Sequence, residues 1–182
     1  MGVIVITGGS RGIGASAAEH AAGRGMGVIL TYNQHPEAAE AVVRRIEQAG
    51  GKAVALQLDV ADVGSFEIFR EQVVTVLEDK WATKTLAGLV NNAGYGLFNP
   101  LESVSEAQFD GLFNVHLKGP FFLTQTLLPL LEENAPAALD LDSLLARKTG
   151  DVLAEDFDLA GVGRVQADDR AQEDRLAGAR AA

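Results

Sequence analysis

Eight residues near the amino terminus carry the most readable chemistry. Thr7-Gly8-Gly9-Ser10-Arg11-Gly12-Ile13-Gly14 follows directly on the apolar run Val3–Ile6. A strand that runs into a glycine-rich turn and opens a helix is a cradle for a nucleotide pyrophosphate. Gly8 permits the tight turn, Gly12 lets backbone approach a phosphate with no Cβ between them, and Gly14 lets the helix lie close to the strand. Ser10 and Ile13 complete the candidate phosphate-binding set. The first turn of the helix supplies unpaired N–H groups and the positive end of its dipole. Arg11 precedes the second of these spaced glycines, where a basic side chain can meet a 2′-phosphate or simply be solvated.

The GxxxGxG spacing resembles that of the short-chain dehydrogenase/reductase family, and three further stretches agree with it. Leu58-Asp59-Val60 closes the third apolar run, where the resemblance puts Asp59 and Val60 beside an adenine ring. Asn91-Asn92-Ala93-Gly94 ends the fourth run and matches the family's NNAG; by resemblance Asn91, Ala93 and Gly94 line the cofactor. Asn114, in Phe113-Asn114-Val115-His116, falls where the family keeps the Asn of its catalytic tetrad. The activity implied is hydride transfer between a nicotinamide and a carbonyl or alcohol substrate. Relatives that prefer NAD carry an acidic residue at the end of the second strand. Here that end reads Leu30-Thr31-Tyr32-Asn33, with Asn33 in the candidate cofactor set and no carboxylate to repel a phosphate. With Arg11, this favours NADP(H) over NAD(H).

The family's proton chemistry uses a Tyr and a Lys four residues later. A free phenol, with a pKa near 10, is a poor base at neutral pH unless a cation lowers it. The chain's two tyrosines, Tyr32 and Tyr95, lack Lys at that offset, and both precede Asn114. Ala138–Ser143 can be laid on the family's fifth strand, which makes Ser143 the candidate carbonyl-polarising Ser; the same alignment puts Phe157 at the Tyr and Gly161 at the Lys. Ser143 reads more readily as an ordinary polar residue, because Asp140 and Asp142 suit a buried strand badly. Activity is therefore expected to be impaired. The alternatives are a non-catalytic dinucleotide- or partner-binding relative, or a truncated or frameshifted product.

Positioning these residues requires alternating strands and helices. Val28–Thr31, Ala53–Leu58 and Leu86–Val90 read as further strands, the last apolar enough to be buried on both faces. Pro36 opens a helix with Ala39, Val42, Val43 and Ile46 on one face, stopped by Gly50-Gly51. Asp62 is placed to cap a helix carrying Phe66, Phe69, Val73, Val76 and Leu77. A long helix is expected over 105–131, bent at Pro120, which has no backbone donor. The fold predicted is an α/β, doubly wound, Rossmann-like parallel sheet over 1–133, incomplete on its C-terminal side. An atypical tail follows over 134–182, either a frayed helix or disorder. By resemblance the 105–131 helix builds a homo-oligomer interface, with Phe121, Phe122, Leu127 and Leu128 as its apolar surface.

Composition narrows the classes. A formal charge of −10 over 182 residues argues against nucleic-acid and anionic-membrane partners. With no cysteine, thiolate metal sites and a Cys nucleophile are excluded. His20, His35 and His116 share no metal-ligand spacing, so no metal is expected, and Lys118 is only a remote substitute for the missing Lys. The opening strand is too short for a secretory signal and no run is long enough to span a membrane, so a cytoplasmic location is expected.

Overall fold

The computed structural model describes residues 2–132. Ser143, Phe157, Gly161 and the expected tail lie outside them.

Among the described residues, four parallel strands form one sheet in the order β3-β2-β1-β4, made by β1 (Val3–Ile6), β2 (Gly27–Tyr32), β3 (Lys52–Gln57) and β4 (Gly88–Val90). β1 is flanked on both sides, with Ile6 opposite Leu30 of β2 and Val90 of β4. Successive strand residues face opposite ways. Val3, Val5 and Ile29 therefore join the cluster built with Phe66, Phe69, Val73 and Leu77 of α3 (Phe66–Trp81) and Leu123 and Leu127 of α5 (Gly119–Leu127). Ile4, Ile6, Val28 and Leu30, also buried, face the other way, toward α1 (Gly12–Gly23) and α2 (Pro36–Gln48). Helices cover both faces, which is why β1 and β2 are apolar without alternation.

The helices differ in how they meet the sheet. α1 buries Gly14, Ala15, Ala17, Ala18, Ala21 and Ala22, all small, so its axis can lie close to the strands. α2 buries Ala39, Val42 and Ile46, while Val43 stands half-buried at the margin of that face. Gly50, at φ +85°, ends the segment in a conformation that a side chain would disfavour.

Three boundaries depart from the sequence pattern. Asp62 caps a short 3₁₀ turn at Val63–Ser65, accepting from Gly64 N–H at 3.1 Å, and α3 proper begins one residue later. β4 is shorter than its apolar run, and Leu86 instead makes an isolated parallel bridge to Leu131. The N–H of Leu86 donates to Leu130 at 2.7 Å, and its carbonyl accepts from Glu132 at 3.0 Å. The long helix is split into α4 (Glu106–Phe113), a π-helical turn (Asn114–Lys118), α5 and a final 3₁₀ turn at Leu128–Leu130. Gly119 N–H reaches back five residues to Asn114 O. The widened turn sits directly before Pro120, whose ring would crowd the carbonyl four residues earlier in a regular α-helix.

Candidate dinucleotide site

The glycine turn lies at the carboxyl ends of β1, β2 and β4. The chain leaves β1 for β2 on one side and later returns to pair β4 on the other, a reversal that opens a crevice at the strand ends. Two sets of hydrogen bonds hold the turn there. Toward β2, Gly8 N–H donates to Thr31 Oγ1 at 3.2 Å and Gly9 N–H to Thr31 O at 2.8 Å. Toward β4, Thr7 Oγ1 accepts from the N–H groups of Asn92 and Ala93, each at 3.0 Å, and lies 3.4 Å from Val90 O. The Asn92 side-chain amide donates to Thr7 O at 2.9 Å and Gly8 O at 3.2 Å.

The spaced glycines have separate physical reasons. Gly8 and Gly12 sit at φ +66° and +57°, in the left-handed region. A Cβ on Gly14 would collide with Gly8 O and the Asn92 amide, so only glycine lets α1 begin against the turn. A Cβ on Gly12 would meet nothing within 4 Å and would project into open space above the turn. That is the fit expected of a cradle for an anion. The start of α1 agrees with it, because Arg11 at the N-cap makes no side-chain capping bond. Arg11, Gly12 and Ile13 are exposed, Ile13 to 69%, and Ser10 is half-buried. Asn33 is exposed two residues beyond Thr31, past the point where the glycine turn is held to β2.

Asp59 is exposed, and its Oδ1 accepts from Ala61 N–H at 2.9 Å, a local turn that fixes the carboxylate at the end of β3. Val60 is buried, and its carbonyl lies so close to Gly119 that a Cβ there would overlap it. Asn91 turns its amide away from the glycine turn: Nδ2 donates to Thr124 Oγ1 of α5 at 3.2 Å, and Oδ1 is buried without a partner among the described residues. Ala93 is half-buried and Gly94 exposed on the segment after β4. Asn114 opens the π-turn, half-buried. Lys118 closes that turn, exposed.

Sequence reasoning passed over three residues that build this site. Thr7, Thr31 and Asn92 contribute most of the hydrogen bonds that fix the turn, and none of them is one of its glycines. Thr7 and Asn92 stood inside the quoted motifs. Thr31, a polar residue ending an apolar strand, was the available signal at β2. Shallow, open clefts among the described residues lie elsewhere, at the far end of α1 around Glu19, Gly23 and Arg45. A solvated Arg45–Glu19 ion pair occupies that region, and it offers no comparable chemistry. No group of acidic and His side chains among the described residues could hold a metal ion.

Known proteins resemble the chain in sequence and fold. The profile of the family described as short chain dehydrogenase matches residues 2–139. Elsinochrome reductase 1 of Elsinoe fawcettii is 37% identical over 124 residues, which cover 68% of this chain and 44% of that protein. A metagenomic short-chain oxidoreductase solved in complex with NADP is 36% identical with a TM-score of 0.63, over 71% of this chain and 56% of that one. The angucycline C-6 ketoreductase LanV with bound NADP is 30% identical with a TM-score of 0.71, over 74% of this chain and 52% of that one. The chain thus spans about half the length of the relatives it matches.

Proposed function

From the premise that this chain belongs to the short chain dehydrogenase family of oxidoreductases, we propose that residues 1–133 form an NADP(H)-binding domain whose carbonyl-reducing or alcohol-oxidising activity is impaired. The observation that carries this reading is the open, positive-φ Gly12 at the uncapped start of α1. Ser10, Arg11, Gly12 and Ile13 would hold the pyrophosphate through backbone N–H groups and the helix dipole, on a turn shaped by Gly8 and Gly14. Arg11 would meet a 2′-phosphate beside the uncharged Asn33. Asp59 and Val60 would flank the adenine, and the 91–94 segment would line the nicotinamide half, with Asn91 acting through its contact to α5. The NADP complexes among similar structures support this choice of cofactor.

When bound, the dinucleotide supplies hydride. The protein's part is to orient it and to manage one proton at the substrate oxygen. Asn114 is half-buried in the π-turn and suits a supporting role there, and Ser143 remains the proposed carbonyl-polarising group. The sequence holds no Tyr followed by Lys at the required offset. Loss of a positioned general acid costs about 10²–10⁴ in rate, so binding without efficient turnover is the expected behaviour. The substrate would be a small carbonyl compound or alcohol, and the cytoplasm the place of action.

A homo-oligomer is proposed through the helical stretch 105–131. Phe109, Phe113, Leu117, Phe121 and Leu128 are 48–59% exposed among the described residues. Four of them recur every fourth position, a stripe suited to a second copy; Leu127, expected on this surface, is instead buried in the core against α3 and the sheet.

Hydrogen-exchange mapping of the chain with and without NADPH tests the site. Slowed exchange confined to residues 8–14, 33, 59–60 and 91–95 is expected. Slowing elsewhere, or none at saturating NADPH, would overturn the reading.

A further inference from the structure

We propose that His116 is a positioning residue that fixes the loop after β4 and thereby the nicotinamide-side wall of the dinucleotide cleft, an inference that rests on the dinucleotide-binding reading above. The Nε2 atom of His116 lies 2.7 Å from Tyr95 O and 3.3 Å from Tyr95 N. One ring nitrogen serves a single one of these groups at a time, and the shorter contact assigns its proton to Nε2, donating to the carbonyl. Among the described residues these are the only hydrogen bonds made by residues 94–97.

Packing agrees with the bond. A Cβ built on Gly94 would stand 2.6 Å from His116 Cε1, so the imidazole fills the space that glycine leaves at this position. The Tyr95 and His116 rings sit 6.0 Å apart at 49°. Tyr95 is 49% exposed and His116 is exposed, so little buried surface holds the loop in place of the bond. The register comes from the π-turn, which carries Asn114 and His116 together. One widened turn thus presents the candidate catalytic Asn and ties down the loop beside it. The other end of the same segment is already fixed by Thr7 and Asn92. His116 completes a two-point attachment.

The test compares His116→Ala and His116→Gln with the unmodified chain, using NADPH and adenosine 2′,5′-bisphosphate as separate probes. The second probe carries the adenine-side phosphates and no nicotinamide. His116→Ala is expected to weaken NADPH binding by up to about tenfold, the worth of one such hydrogen bond. It should leave the bisphosphate unaffected, and the amide of His116→Gln should restore most of the loss. Equal loss for both probes, or loss for neither, would overturn the proposal. Chymotrypsin cleavage at Tyr95–Gly96 reads the attachment without any dinucleotide: it should quicken several-fold in His116→Ala and not in His116→Gln. If the unmodified chain binds neither probe, the dinucleotide reading fails, and the cofactor-positioning role with it. Unchanged cleavage in His116→Ala would refute the attachment itself.

Discussion

Gly12 and Gly14 stand two positions apart in the sequence and answer to different demands in the fold. Gly12 has a positive φ with open space beyond it, whereas Gly14 has Gly8 O and the Asn92 amide pressed against it. Gly12→Ala should therefore cost only the left-handed strain, about 1–2 kcal/mol, and keep the fold while weakening NADPH binding at least tenfold. Gly14→Ala should cost more stability, because backbone rather than a flexible side chain is in the way. Urea denaturation paired with nucleotide titration separates the two. Thr7→Val removes the oxygen that accepts from Asn92 and Ala93 and leaves two N–H groups without that partner. Asn92 N–H keeps its bond to Val90 O at 3.1 Å, so a loss of about 1–3 kcal/mol is expected from the one donor left unpaired at Ala93, read as a lower denaturation midpoint. The glycines were legible because backbone geometry restricts residue choice so strongly. The Thr7, Thr31 and Asn92 bonds were not, since nothing in a sequence says which hydroxyl or amide meets which backbone group across a sheet.

At the scale of elements, periodicity carried the reading well wherever burial was two-sided or cleanly one-sided. β1, β2, α2 and β3 fall within a residue or two of their apolar runs, because those runs pack on a sheet covered on both faces. The departures come from hydrogen bonds and crowding that an apolar pattern does not encode. Leu86 is as buried as the rest of its run yet bonds to Leu130 and Glu132 instead of extending β4. The split of the long helix is of the same kind: Pro120 signalled a disturbance, but not that it would take the form of a π-turn upstream. Gly119 belongs to this scale too, since α5 can pass Val60 only without a Cβ at that point. Gly119→Ala should push α5 off the end of β3 and lower stability by about 1–3 kcal/mol or more. A thermal melt of the nucleotide-free chain checks this, and an unchanged Tm would contradict the packing described.

For the molecule as a whole, the family was legible from four short motifs, and those motifs lie on the segment that the structure describes. Substrate choice was not legible, because the turn and the 91–94 segment speak to the cofactor alone. The apolar stripe on α4, the π-turn and α5 predicts association. Phe113→Asp combined with Phe121→Asp should shift light scattering toward a smaller species, whereas an unchanged mass would remove the stripe from the account. Turnover is expected to lag binding, with NADPH oxidised on a panel of small ketones and aldehydes only slowly, if at all. The most direct test of the central claim is a fluorescence titration of the purified chain with NADPH, with NADH run in parallel. The account predicts saturable micromolar binding of NADPH with NADH at least about tenfold weaker, the worth of one charge-assisted contact from Arg11. Binding of neither nucleotide would contradict it outright, and equal binding of both would remove Arg11 from the site.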